Sequence, residues 1–329
     1  MELRRFGRTE MEVSSIALGA MNFGSAPWGC SEEDAAQILR VYRDAGGNLV
    51  DTANIYANGE SERILGRLIA GCRDELLIAS KVGFPVPGGH PPGVTAARVR
   101  ESLVATLQRL ATDHLDLLQL HAFDARVPLD ETLGALSDLV AEGLIRFAGS
   151  SNYFAWQLAE ADRLAGERAV AHLASTQLMY NLVRRDIERE HLPYARSTEL
   201  AVIAYGPLHG GHLAAGWLSR AELAPDSRAL ANPDVYLADE DRLFAVTRAL
   251  VEHSQALGVA PGRVALAWVV RNPDVSTTLT AARTANELTE QLEALTLDAD
   301  DAFWRSLDAA TALPESYPSD FYDRLAGRS

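Results

Sequence analysis

Asp51, Tyr56, Lys81 and His121 stand at or just beyond the ends of apolar runs: Asn48-Leu-Val-Asp51, the following Thr-Ala-Asn-Ile-Tyr56, Leu76-Leu-Ile-Ala-Ser-Lys81 and Leu115-Asp-Leu-Leu-Gln-Leu-His121. As a set they have the parts needed to reduce a carbonyl, which takes a hydride donor and a proton donor for the developing alkoxide. A phenol with an ordinary pKa of about 10 gives up its proton reluctantly near neutrality. An adjacent ammonium favours the phenolate and lowers that pKa. A carboxylate beside the ammonium keeps it charged and in place. An imidazole N–H can hold the substrate oxygen and stabilise the charge growing on it. Each residue alone also has a structural reading: a turn-capping Asp, a Lys with its head in water, a packing Tyr, a hydrogen-bonded His. All four at the same end of successive runs favour chemistry.

Something must bring those ends together. Short apolar runs alternate with amphipathic stretches along the chain, and strands are expected over 16–19, 48–52, 76–82, 115–121, 145–151, 175–180, 201–205 and 275–280. Several are apolar on consecutive residues, as parallel strands covered on both faces are. Ser31-Glu-Glu-Asp offers a helix cap and an acidic first turn. Ala35, Ile38, Leu39 and Tyr42 then recur at helical spacing, and Gly46-Gly47 stops the helix. Further helices are expected over 95–110, 129–142, 153–164, 186–198 and 240–257, and after Thr284. Repeated βα units with no composition break predict an α/β fold, one (β/α)8 TIM barrel domain over residues 1–329. In such a barrel, ionisable groups at strand ends converge on one mouth. Residues 3–6 and 11–13, around Gly7-Arg-Thr, read as an N-terminal β-hairpin plugging one barrel end. The irregular stretches 84–93 and 209–238 then fall among the C-terminal-face loops.

Apolar residues make up 47% and charged residues 23% of the chain, enough for a large core and against wholesale disorder. A net charge of −15 repels phosphate backbones, so no nucleic acid partner is expected. Cys30 and Cys72 form no disulfide framework. No signal pattern opens the chain and no stretch is apolar enough to span a bilayer, so no membrane and a cytoplasmic location are expected. The Gly-x-Gly-x-x-Gly fingerprint, the phosphate loop, His-Glu-x-x-His and Gly-x-Ser-x-Gly are all missing. A dinucleotide would have to bind by another architecture.

These segments resemble the aldo-keto reductase superfamily, which pairs a (β/α)8 barrel with NAD(P)H. The similarity runs from Phe6-Gly-Arg-Thr and Ala17-Leu-Gly-Ala-Met-Asn-Phe-Gly to the last barrel helix. The family's Asp-Tyr-Lys-His tetrad falls on Asp51, Tyr56, Lys81 and His121. The resemblance also implies that Ser151, Asn152 and Gln177 hold a nicotinamide carboxamide and that Tyr205 stacks on the ring. Gly206, Pro207, Leu208, Ala281, Arg283, Glu287, Glu290 and Gln291 complete the implied cofactor positions. Two departures stand out. The family's Ser after that Tyr and its Gly-rich turn with Arg are replaced by Tyr205-Gly-Pro-Leu-His-Gly-Gly-His, and Ala281 replaces a Gly. A basic phosphate contact is therefore expected to be weakened.

NADPH is the cofactor expected, with NADH the alternative. Arg283 can meet a 2′-phosphate, whereas Glu287 opposes one unless it turns back in a capping box with Thr284. Phe23, Trp28, Phe84, Phe123, His209 and Trp217, with the tail near Tyr317 and Phe321, are expected to wall a pocket for partly apolar aldehydes and ketones. Asp124 leaves room for sugars. His209-x-x-His212 lacks a third ligand, so no metal is expected. The small-molecule partner is then a carbonyl substrate. Rival readings are a reductase of nucleotide-activated keto- or enoyl-sugars, an alcohol dehydrogenase, and a slow redox-sensing subunit like the potassium-channel β subunits.

Overall fold

The computed structural model describes residues 1–25, 27–85, 92–315, 317, 318, 320, 321 and 325. Its strands are β1 (Leu3–Arg5), β2 (Glu12–Ser14), β3 (Ile16–Gly19), β4 (Leu49–Asp51), β5 (Leu77–Val82), β6 (Leu115–Leu120), β7 (Ile145–Ser151), β8 (Leu173–Met179), β9 (Ala201–Tyr205) and β10 (Thr277–Thr280). Strands β3 to β10 close a parallel barrel in the order β10-β3-β4-β5-β6-β7-β8-β9, while β1 and β2 pair antiparallel. This is a (β/α)8 barrel with an N-terminal hairpin.

The period of two along each strand sorts the residues. Val50, Ile78, Leu118 and Val202 face outward into the core shared with the helices. Leu49, Ala79, Leu117, Ala201, Ile203 and Leu279 form one inner layer, sealed by Phe6, Met11 and Val13 from the hairpin region. Two residues further along, the inward positions turn polar: Asp51, Lys81, Gln119, Gln177 and Tyr205. The barrel is thus dry at the hairpin end and charged at the other. The register sets Lys81 opposite Gln119, and Ser151 opposite Gln177.

The helix over Glu32–Asp44 starts at a Ser31 capping box, as its sequence requires. Helices over Ala96–Leu110, Leu129–Ala141 and Glu240–Leu257 match their expected spans closely. Residues 186–198 were expected as one helix. They instead form a single 3-10 turn, Asp186–Glu188, and a helix over His191–Thr198. Pro193 explains the break, because it has no N–H to donate and fits only a first helical turn. Three further helices, Glu60–Ile69, Asp301–Ala310 and Pro261–Val270, lie outside the expected set. From Val264 to Val270 every residue is buried, so this helix shows no amphipathic stripe. The stretch 209–238 holds short helices over His212–Ala215, Arg228–Ala231 and Pro233–Tyr236. Most of the Pro/Gly-rich stretch 84–93 lies outside the described residues.

Candidate active site

Barrel closure brings Asp51, Tyr56, Lys81 and His121 into one cluster. Lys81 is fully buried and donates to Asp51 Oδ1, to the Thr52 carbonyl at 2.9 Å and to the Tyr56 hydroxyl at 3.1 Å. Asp51 is also buried, and its Oδ2 accepts from Gln119 and Gln177, each at 2.9 Å. The carboxylate is therefore fully engaged, as a buried charge must be. Tyr56 meets the His121 ring edge-on, with centroids 6.0 Å apart.

The electrostatics follow from this packing. Burial works against the Lys81 ammonium, but Asp51 first and Tyr56 next outweigh it and hold its pKa above the ordinary value. Desolvation is the larger influence on Tyr56. Lys81 pulls the phenol down as anticipated, yet its net pKa lies above 10, so the group rests as a neutral phenol. The expectation of a net-lowered phenol is corrected in this respect. Desolvation, aided by Lys81, pushes His121 down to about 3, so its imidazole is neutral at any ordinary pH.

Local backbone aims Tyr56. Ala57 and Asn58 adopt left-handed conformations (φ 48° and 55°) before Gly59 at φ 84°. Such non-Gly residues carry strain of order 1–3 kcal/mol each and persist where their surroundings fix them. The anchor is Ser61, which donates to the Ala20 carbonyl at 2.7 Å and hydrogen-bonds Thr52 Oγ1 at 2.8 Å. Thr52 in turn holds Lys81 through its carbonyl.

Gln119 was absent from the sequence candidates. It is fully buried and links Asp51 to Gln177, whose Nε2 also donates to Gln119 Oε1 at 3.2 Å. The signal was available: a polar residue two positions before His121 shares its inward face. Gly149 makes room for it, since a Cβ there would lie 2.6 Å from Ser175 Oγ and 3.3 Å from Gln119 Cγ.

The amide positions are also together. Ser151 Oγ donates to the Gln177 carbonyl at 3.0 Å, and Asn152 Nδ2 to the His121 carbonyl at 3.1 Å. The Tyr205 hydroxyl donates to Asn152 Oδ1 at 2.9 Å, leaving that oxygen a second lone pair. Gly206, Pro207 and Leu208 follow directly on β9. Gln291 is fixed by Thr280 Oγ1 at 2.5 Å and by the Ala281 carbonyl at 3.1 Å. Glu290 is exposed. Glu287 turns back as a capping residue, but onto Arg283: its Oε2 accepts the Arg283 N–H at 2.8 Å, and its Oε1 meets the guanidinium at 3.0 Å. A basic group missed in the sequence stands nearby. Arg228 lies over the rings of Trp28 (5.2 Å) and Tyr236 (5.7 Å), with no carboxylate partner among the described residues, and its charge reaches Tyr56. This donor set fits a nicotinamide dinucleotide: amides for a carboxamide, Arg228 and Arg283 for phosphates.

The comparisons agree with that chemistry. A model described as "Aldo/keto reductase family" matches residues 15–312. The chain belongs to this family. The oxidoreductase YrpG of Bacillus subtilis is 34% identical over 94% of this chain and 95% of its own length. A versiconal hemiacetal acetate reductase of Aspergillus parasiticus is 28% identical, covering 83% and 86%. A probable voltage-gated potassium channel subunit beta of Oryza sativa is 29% identical, covering 90% and 91%. The chain is thus an NAD(P)H-dependent oxidoreductase of the aldo-keto reductase family.

Within this reductase the expected pocket residues divide. Phe84 stacks on His121 beside the cluster, and Phe123 packs edge-on against Tyr153. Trp28 lies under Arg228. Phe23 is fully buried in the core, and His209 is 2% exposed with Nε2 tied to the Tyr236 carbonyl at 3.0 Å. Trp217 packs on His212, which is itself fully buried. Phe23 therefore sits in the core, while His209 borders a small cavity with Tyr236 and Arg184 and Trp217 is half-buried against His212. Asp124 is taken up by Arg126 at 2.8 Å, and Tyr317 is 83% exposed. A cleft of about 390 Å³ opens at the opposite, hairpin end, where Asp116 bridges Arg73 and Arg146 at 2.9 and 2.8 Å. Its central carboxylate is already paired, and it lies away from the chemistry. No helix among the described residues is long and apolar enough to cross a membrane.

Proposed function

We propose that the protein reduces an aldehyde or ketone to an alcohol with NADPH, Tyr56 giving the proton. The observation that carries this is the buried Asp51–Lys81 pair bonded to the half-buried Tyr56, with the phenol 3.1 Å from the ammonium and a neutral imidazole beside it. The bound nicotinamide supplies the hydride. Tyr56 stays protonated until the substrate oxygen gains charge, and Lys81 then stabilises the phenolate left behind. Asp51 keeps Lys81 charged, with Gln119 and Gln177 holding the carboxylate. His121 donates to the same oxygen and fixes its position. Ser151, Asn152 and Gln177 orient the cofactor's carboxamide, and Arg283 with Arg228 meets its phosphates. The physiological partner is a small carbonyl compound, and the 1–329 chain works as one barrel domain in the cytoplasm. Incubation with a panel of aldehydes, ketones and keto-sugars, followed through nicotinamide absorbance, tests this. Turnover of none of them would overturn it.

A second reading is favoured by the potassium-channel relative: a slow-turnover redox sensor. It predicts slow oxidation of bound NADPH by every carbonyl tried and co-purification with a membrane partner.

A further inference from the structure

We propose that Phe84 is a positioning residue for His121: its stacked ring fixes the plane in which the imidazole offers its N–H to the substrate oxygen. This rests on the reading of His121 as the group that holds the carbonyl.

The backbone of His121 is pinned on both sides. Its N–H donates to the Val82 carbonyl at 2.9 Å, and its own carbonyl accepts from Asn152 at 3.1 Å. Side-chain rotation is what remains to be fixed. Functional histidines usually have one ring nitrogen oriented by a hydrogen bond from a carboxylate or carbonyl. Here the buried Nδ1 has no partner among the described residues. An orphaned buried N–H is costly, so the neutral ring keeps its proton on Nε2, the nitrogen that is not sealed off. The missing hydrogen bond sets the tautomer but leaves the ring plane free.

The stack supplies that restraint. Phe84 and His121 lie nearly parallel, with centroids 4.2 Å apart and planes at 23°. Tyr56 also meets the ring, edge-to-face, at 6.0 Å and 83°. An imidazole packed against both rings has one orientation that avoids clashing with either. Phe84 is placed by the backbone at Gly83, whose φ of 117° only glycine adopts readily, and whose carbonyl accepts from the Gly93 N–H at 3.0 Å. A Cβ on Gly83 would also press to 3.1 Å from Val94 Cγ1. The ring is 37% exposed, so one face is committed to His121 while the rest meets the mouth.

The same ring keeps water from the imidazole. Desolvation is the larger reason that His121 stays neutral, and Lys81 adds to it. Lys81 is the charged group bearing on the ring, with the neutral Tyr56 phenol beside it. Phe84 and Asn152, from the neighbouring elements, carry no charge.

The test uses Phe84→Ala, Phe84→Leu and Phe84→Tyr with propanal, a substrate too small to need an aromatic wall. Loss of the stack should lower kcat roughly ten- to a hundred-fold in Phe84→Ala, the scale of a misplacement near 1 Å, with little change in KM. Phe84→Tyr should stay near wild type, and Phe84→Leu, equally apolar but without a flat face, should recover far less. Histidine NMR gives a readout apart from activity. The His121 resonance, identified by its loss in His121→Asn, should not titrate above about pH 5 in the wild type. In Phe84→Ala it should titrate closer to the ordinary value of about 6.5. A rise in KM alone, equal rates for the Leu and Tyr variants, or an unmoved His121 titration would overturn the proposal. If His121→Asn itself keeps full activity, the reading of His121 fails instead.

Discussion

Lys81 Nζ lies 3.1 Å from the Tyr56 hydroxyl and 4.8 Å from the centre of its ring. The ammonium is thus on the oxygen's side of the phenol, where it lowers the energy of the phenolate more than that of the phenol. Replacing Tyr56 by Phe removes the proposed proton donor and leaves the ring in place. Reduction by Tyr56→Phe should fall by roughly 10²–10⁴-fold in kcat, the range for general acid–base catalysis. Fluorescence titration should still show cofactor binding. A kcat near wild type would exclude Tyr56 as the donor.

If Lys81 acts through Tyr56, as proposed, the two losses should overlap. Lys81→Met should cost about as much activity as Tyr56→Phe, and the double variant should be little worse than either, because residues working as a unit are non-additive. Asp51 would keep its bonds to Gln119 and Gln177, so the barrel should remain folded by circular dichroism. Losses that multiply in the double variant would mean that Lys81 contributes independently.

Much of this site could be read from strand logic. Asp51, Lys81 and His121 end apolar runs, and parallel closure must gather such ends at one rim. Tyr56 was legible only beside them, because its aim depends on the left-handed turn at Ala57 and Asn58, which no propensity announces. Gln119 shares the inward face of His121 and was discoverable by the same period of two. Arg228 was not, since it opens a one-turn helix inside the stretch 209–238, whose sequence has no strand or helix period, and it is placed by packing on Trp28 and Tyr236. Phe23 had the right composition for a mouth, but composition does not say which side of a loop a ring takes, and it is buried in the core. The helix Pro261–Val270 was hidden because burial all round erases its period.

Buried histidines should make the protein acid-sensitive. Desolvation lowers His209 to about 4 and His121 to about 3, and both rings are nearly inaccessible. The unfolded chain takes up protons near pH 6.5, while these folded rings refuse them until much lower pH. Unfolded molecules therefore bind more protons in that window, and stability falls as pH drops from about 6.5 towards 4, by at most about 1.4 kcal/mol per pH unit per group. Urea midpoints measured across pH 4–7 should decline. The decline should be shallower in His209→Leu, which cannot take up that proton in either state. Equal slopes for the two proteins would show that His209 is not part of the effect.

The proposed NADPH preference would turn on the Arg283–Glu287 pair. Glu287 spends one carboxylate oxygen on the Arg283 N–H and the other on its guanidinium, so the pair is partly neutralised before any phosphate arrives. Arg283 still has a donor-rich planar head, and it is 55% exposed at the end of β10, just before the capped helix Ala285–Leu292. A dianionic phosphate offers Arg283 more charge than one carboxylate does, which favours NADPH. Glu287 stands against this by repulsion, so the preference should be modest. Glu287→Gln keeps an acceptor for the backbone N–H and removes the charge. It should tighten NADPH binding by roughly five-fold, about 1 kcal/mol for an exposed charge interaction, and leave NADH unchanged. Arg283→Ala should weaken NADPH by a similar factor, again without touching NADH. Both effects should shrink as salt rises above about 0.1 M, where screening acts within about 10 Å. Titrations of both cofactors across that salt range decide the matter. NADH binding tighter than NADPH, or full NADPH affinity in Arg283→Ala, would move the phosphate to another group, with Arg228 the first to examine.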